Sequence, residues 1–142
     1  MLDIFMYVQT PEQDCSRLFE ILDLQPRNWM ASDGGPVDFT HFDRSENAFY
    51  GEEVTGDFRF AGDLYLFGRN EFWLHRALLL LSSQGHMIAV PDEMTLNPTA
   101  FQLYRNGAIE YRCIETDDRE DADDGRVVIR DTYVPLLNLN RR

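Results

Sequence analysis

The chain is poor in cysteine, with two in 142 residues. Cys15 and Cys113 lie far apart, without the paired spacing of a zinc ribbon or redox motif, and read as reduced thiols. Long apolar runs are missing as well. The longest strictly apolar stretch is residues 77–81, whereas a membrane span takes roughly 20 residues. Asp3 stands where a signal peptide would carry a basic n-region, so the expectation is a soluble, cytoplasmic protein without membrane contact. Basic residues are scarce: 13 Lys plus Arg against 25 Asp plus Glu give a formal net charge of -12. Neutralising phosphates needs a basic face, so direct nucleic-acid binding is not expected.

Linear catalytic motifs are also lacking. There is no G-x-x-x-x-G-K, no G-x-G-x-x-G after the first strand, no G-x-S-x-G and no H-E-x-x-H. The leading expectation is therefore a protein without catalytic residues and without a cofactor. What is present suits a globular chain, 44% hydrophobic and 27% charged. Its length suits one domain over residues 1–142, burying roughly two thirds of its unfolded surface and needing neither metal nor disulfide to fold.

Residues 2–8 read as a strand apolar on both faces. Thr10, Pro11 and Gln13 read as the start of a helix with a capping box, and Cys15, Leu18, Phe19 and Leu22 form its apolar stripe. Pro26 bounds that helix, and residues 24–36 read as a loop with a turn at Asp33-Gly34-Gly35-Pro36. A strand is expected over 37–42, then a polar stretch to Asp57 in which residues 48–50 allow a short strand. Residues 58–60 and 64–67 read as two strands separated by a Gly62-Asp63 turn. Asn70 caps a second helix, apolar nearly all round and ending near Gly85. Residues 86–90 read as a buried strand. Residues 101–114 form a hairpin about Asn106-Gly107, the pair that supplies a type I′ turn. A last strand runs from 125 to 134. Runs of strands between two helices predict an α+β fold, a largely antiparallel sheet with both helices packed on one face.

The acid is concentrated. Glu115, Asp117, Asp118, Glu120, Asp121, Asp123 and Asp124 face Arg119 alone, so half of the net charge sits in ten residues. This segment forms the tip, at 115–125, of a second hairpin. An EF-hand aligned on Gly125 places Ala122 where an oxygen ligand is required, so the calcium motif fails. A weaker acidic group comprises Glu46, Glu52, Glu53 and Asp57. Among the histidines, Glu71 and His75 stand i, i+4 on the second helix and could share a cation from one face. One acid and one imidazole fall short of the three protein ligands of a catalytic metal. His41, between Asp38 and Asp43, suits an acid–base pair, and His86 opens a buried strand.

The opening, Tyr7-Val8 and then a helix ending Phe19-Glu20-Ile21-Leu22-Asp23-Leu24-Gln25-Pro26, resembles the start of the glyoxalase/vicinal-oxygen-chelate modules over about the first 30 residues. Those modules carry a metal-ligating His or Glu on the first strand; residues 2–8 have neither, so no metal chemistry transfers. In profile, a small, strongly acidic chain without a catalytic motif is similar to bacterial immunity proteins, including those of contact-dependent growth inhibition systems. That resemblance implies an inhibitory complex with a toxin domain, often a basic nuclease.

Charge supports such a partner, since an acidic surface can occupy a field built to attract phosphates. The expected contact residues are Asp117, Asp118, Glu120, Asp121, Asp123 and Asp124 at the tip, with Glu52, Glu53 and Asp57 as secondary candidates. Apolar anchors are sought in loop-like segments at Trp29, Met30, Phe49 and Tyr50. The rival expectation is a small enzyme or ligand-binding module with a pocket between sheet and helices, using His41 with Asp38 or Asp43.

Overall fold

Alternation in β1 (Leu2–Gln9) sends Met6 and Val8 to one side of the sheet and Phe5 and Tyr7 to the other. Both sides are covered, so β1 is central. The computed structural model describes residues 1–30, 46–117 and 126–135. After β1 come α1 (Ser16–Leu22), β2 (Leu24–Trp29), β3 (Asn47–Glu53), β4 (Thr55–Gly56) and β5 (Phe60–Leu66). Then follow α2 (Glu71–Ser83), β6 (Met87–Pro91), β7 (Ala100–Arg105), β8 (Ala108–Asp117) and β9 (Arg126–Thr132).

The strands make one sheet in the order β2-β3-β5-β1-β6-β7-β8-β9-β4. Only the outermost pairings, β2 with β3 and β4 with β9, are parallel. Both helices lie against one face, where Leu18 and Leu22 of α1 and Leu74, Leu78 and Leu81 of α2 join Met6, Val8, Leu64 and Ile88. The fold is the α+β arrangement expected.

The other face carries a second apolar cluster, Phe58, Ala89, Phe101, Leu103, Ile114 and Val127. Its cover is the link between β3 and β5. These strands pair near one end of the sheet, yet β4 within their link pairs with β9 at the other end. The sheet therefore curls about the second cluster, and Phe58 is inserted with its ring stacked 5.4 Å from Tyr7. Asp57 secures the crossing: its N–H donates to the Val127 carbonyl, and its carboxylate accepts from the Ile129 N–H, both at 2.8 Å.

Several expectations change. The first helix begins at Ser16, because the Thr10 hydroxyl accepts locally from the Glu12 N–H. Cys15 then turns the chain with φ 59, and the Glu12 carboxylate accepts from the Arg17 N–H in the first turn. Residues 24–29 are a strand, not a loop. β2 is an edge strand, where a proline such as Pro26 costs no ladder bond on its free side. Gly62 is no turn: β5 runs straight through it, and a Cβ there would lie 2.2 Å from the Tyr50 carbonyl oxygen of β3. The second helix has a wet side as well, with Phe72 and Leu80 exposed. Asn70 does cap it, accepting from the Trp73 N–H at 2.8 Å. The Asn106-Gly107 hairpin has both residues at positive φ, as a type I′ turn requires. The strand expected over 37–42 and the turn at 33–36 lie outside the described residues.

Candidate functional site: an acidic cleft between sheet and helix

Register brings part of the expected contact set together: Arg126 of β9 lies opposite Asp117 of β8 and opposite Thr55 of β4, two residues after Glu53, and Asp57 bonds the next residue, Val127. β8 and β9 pair antiparallel up to Asp117 opposite Arg126. Asp118, Glu120, Asp121, Asp123 and Asp124 themselves lie outside the described residues, as do His41, Asp38 and Asp43. Asp117 is half-buried at the end of β8. Glu52 and Glu53 are exposed at the far end of β3. Asp57 is half-buried, and one oxygen of its carboxylate accepts from the Ile129 N–H of β9.

The expected aromatic anchors divide between the two faces of the sheet. Phe49 is 0% exposed, because the alternation of β3 points it into the helix-side core. Trp29 lies over it, ring on ring at 4.4 Å, with Phe60 edge-on at 5.3 Å. Trp29 and Met30, both half-buried, therefore close the core. Tyr50 points to the opposite face, half-exposed, edge-to-face with Tyr65 at 6.0 Å.

A site not assembled from sequence lies where α2 begins. Between its first two turns, the start of β1, the end of β6 and β7, the surface opens into a cleft of about 290 Å³. Its apolar wall is Leu2, Ile4, Leu74, Leu78 and Val90. Three carboxylates stand around that wall, Glu71 from α2 and Asp92 and Glu93 after β6. Asp3 of β1 also lines the cleft, but strand alternation turns its side chain to the other face, toward Asp63 and Tyr65. His75 and Tyr104 complete it, joined Nδ1 to hydroxyl at 2.9 Å. Burial pushes the Tyr104 hydroxyl up to about 12, so it keeps its proton at neutral pH. Whichever tautomer His75 takes, the pair retains one unused donor and one unused acceptor. Glu71 and His75 are the helical i, i+4 pair visible in the sequence. Asp3, Asp92 and Tyr104 were not legible, since separate elements bring them together.

Charge pairing sets the cleft apart. Every one of the 13 basic residues is arginine, and those described are mostly engaged elsewhere. Arg17 pairs with Glu20, Arg27 with Glu46, Arg69 with Asp23 and Arg130 with Glu115. Arg105 grips Glu110 with two bonds of 2.7 and 2.8 Å while Arg112 adds a third, and Arg105 holds that carboxyl below its ordinary value. Arg76 lies over the ring of Phe72. The cleft carboxylates have no such partner among the described residues. Asp92 is only 4% exposed, yet its oxygens accept from neutral donors, the Tyr133 hydroxyl at 2.6 Å and the Met94 N–H at 3.0 Å.

Among the described residues, no three His, Cys, Asp or Glu side chains gather closely enough to hold a metal ion. The cleft carboxylates are thus spread around a wall and do not converge on a point. Cys15 is buried, and burial pushes its thiol up, away from the thiolate a nucleophile needs. No described helix is long and apolar enough to cross a membrane. No family model matches the chain, and neither a curated protein nor a solved structure matches it.

Proposed function

We propose that this chain is a non-enzymatic acidic binding protein of the immunity type. It acts in the cytoplasm and neutralises a basic toxin domain, such as a nuclease, by covering its active or substrate-binding surface. The observation that supports this reading is the imbalance of pairing. Most described arginines are tied to carboxylates or rings, while carboxylates at the cleft and on the exposed end of β3 have no ion pair among the described residues. The unpaired surplus gives the surface a negative field that speeds encounter with a cationic protein and opposes phosphate binding there.

In this reading the acidic segment 117–124 steers. Replacing Asp121, Asp123 and Asp124 together with asparagine slows association with the basic partner, most strongly at low salt. An unchanged association rate removes that segment from the interface. The cleft favours a second reading, a small ligand-binding module with its pocket between sheet and helix, centred on His75 and Tyr104 in place of His41. Turnover or tight binding of a metabolite by the isolated chain would select it.

A further inference from the structure

We propose that the cleft at the start of α2 is a recognition pocket for an aliphatic cation, an alkyl chain ending in a guanidinium or ammonium. The source is an arginine or lysine side chain of the basic partner. The source clause rests on the inhibitor reading above; the cation chemistry rests on the cleft alone.

Size is the first constraint. A volume of about 290 Å³ sits at the foot of the small-molecule range of roughly 300–1,000 Å³, enough for one long side chain and little more. The second constraint is the pairing of wall and rim. Leu74, Leu78 and Val90 offer a surface against which an alkyl stem leaves water. Glu71 and Glu93 are exposed at the rim, where they attract a positive head without each bearing the cost of full burial. Asp92 lies deeper, a buried carboxylate with no cation beside it among the described residues.

Other occupants fit less well. A helix N-terminus ordinarily favours an anion, but here Asn70 already accepts from the Trp73 N–H and Glu71 fills the first turn with negative charge. A bare metal ion needs ligands that converge, and these do not. Guanidinium suits a dispersed set of acceptors better than a point charge does, because its five donors fan out in a plane and its hydration is weak. The acceptor left over on the His75–Tyr104 pair provides one more site for such an N–H.

The test is an NMR titration of the intact chain with Nα-acetyl-arginine methylamide, its neutral citrulline counterpart and 1,4-diaminobutane. Expected are saturable shifts at the amides of Ile4, Leu74, His75 and Tyr104, weakened by added salt. The citrulline compound should bind at least about tenfold more weakly, and a chain carrying Glu71→Gln with Glu93→Gln should lose about tenfold in affinity for the arginine compound. Both replaced side chains are exposed, so the fold persists, and the salt series on the unaltered chain probes the same attraction without any substitution. The pocket is refuted by equal binding of the citrulline compound, by shifts centred elsewhere, or by no saturation. Diaminobutane binding more than about tenfold tighter than capped arginine overturns the side-chain source in favour of a free amine. Capped arginine held in the cleft by a chain that attaches to no basic protein upholds the pocket and refutes the inhibitor reading; attachment without pocket binding does the reverse.

Discussion

His86 should make the fold sensitive to mild acid. It is 2% exposed between the end of α2 and the start of β6, with Nδ1 at 3.2 Å from the Leu81 carbonyl oxygen. A carbonyl only accepts, so Nδ1 carries the proton, and Nε2 is a buried lone pair without a partner among the described residues. Protonating Nε2 would place a charge and an unmet donor in the interior. Burial accordingly holds the imidazole below its ordinary value of 6.5, with Glu12 opposing and Arg17 adding slightly to the shift. Above that value both folded and unfolded chains are neutral at this site, and the full stability is present. As pH falls below it the unfolded chain takes up the proton first, so stability declines by at most about 1.4 kcal/mol per pH unit until the folded value is reached. Urea unfolding between about pH 5 and 8 measures the slope, and His86→Phe isolates it. The lost bond to Leu81 shifts the variant by a constant, whereas the slope due to His86 disappears. A wild-type stability flat through this window, or a slope that survives in the variant, would refute the reasoning.

Two further perturbations test the fold around the site. Phe49→Ala removes a fully buried ring and the partner of Trp29 at 4.4 Å. The expected loss is about 3–5 kcal/mol by denaturant unfolding, together with a change in native tryptophan emission; a loss typical of a surface residue would restore Phe49 as a candidate anchor. Asp57→Ala leaves the Ile129 N–H without its acceptor. Destabilisation of about 1–2 kcal/mol is expected, with faster hydrogen exchange at the Ile129 amide and little change at Leu103 in the middle of the sheet. Unchanged exchange at Ile129 would show that β9 is held without the Asp57 crossing.

Local signals were legible wherever neighbouring residues settle the structure. Alternation revealed β1, and Asn106-Gly107 revealed the β7–β8 turn. Asn70 revealed the start of α2 because its side chain can reach a helical N–H three residues on. Signals decided by distant chain misled. Pro26 suggests a break until β2 is known to be an edge. Gly62 suggests a turn until Tyr50 is seen pressed against it from β3. Phe49 passes for an exposed anchor within a polar stretch, since nothing local says that β3 runs inside the sheet. The cleft shows the same limit: Glu71 and His75 share one helical face and are visible together, but Asp3, Asp92 and Tyr104 come from three other elements.

Under the proposed function, surplus carboxylate is the means of capturing a cation-rich macromolecule. The most direct measurement immobilises the intact protein, passes its native cell extract over it at low ionic strength, and elutes with a salt gradient. The expected result is one basic protein, retained in stoichiometric amount, released as salt rises, and restrained in its own activity when recombined with the acidic chain. Retention of neutral or acidic proteins only, or of nothing that salt releases, would contradict that claim.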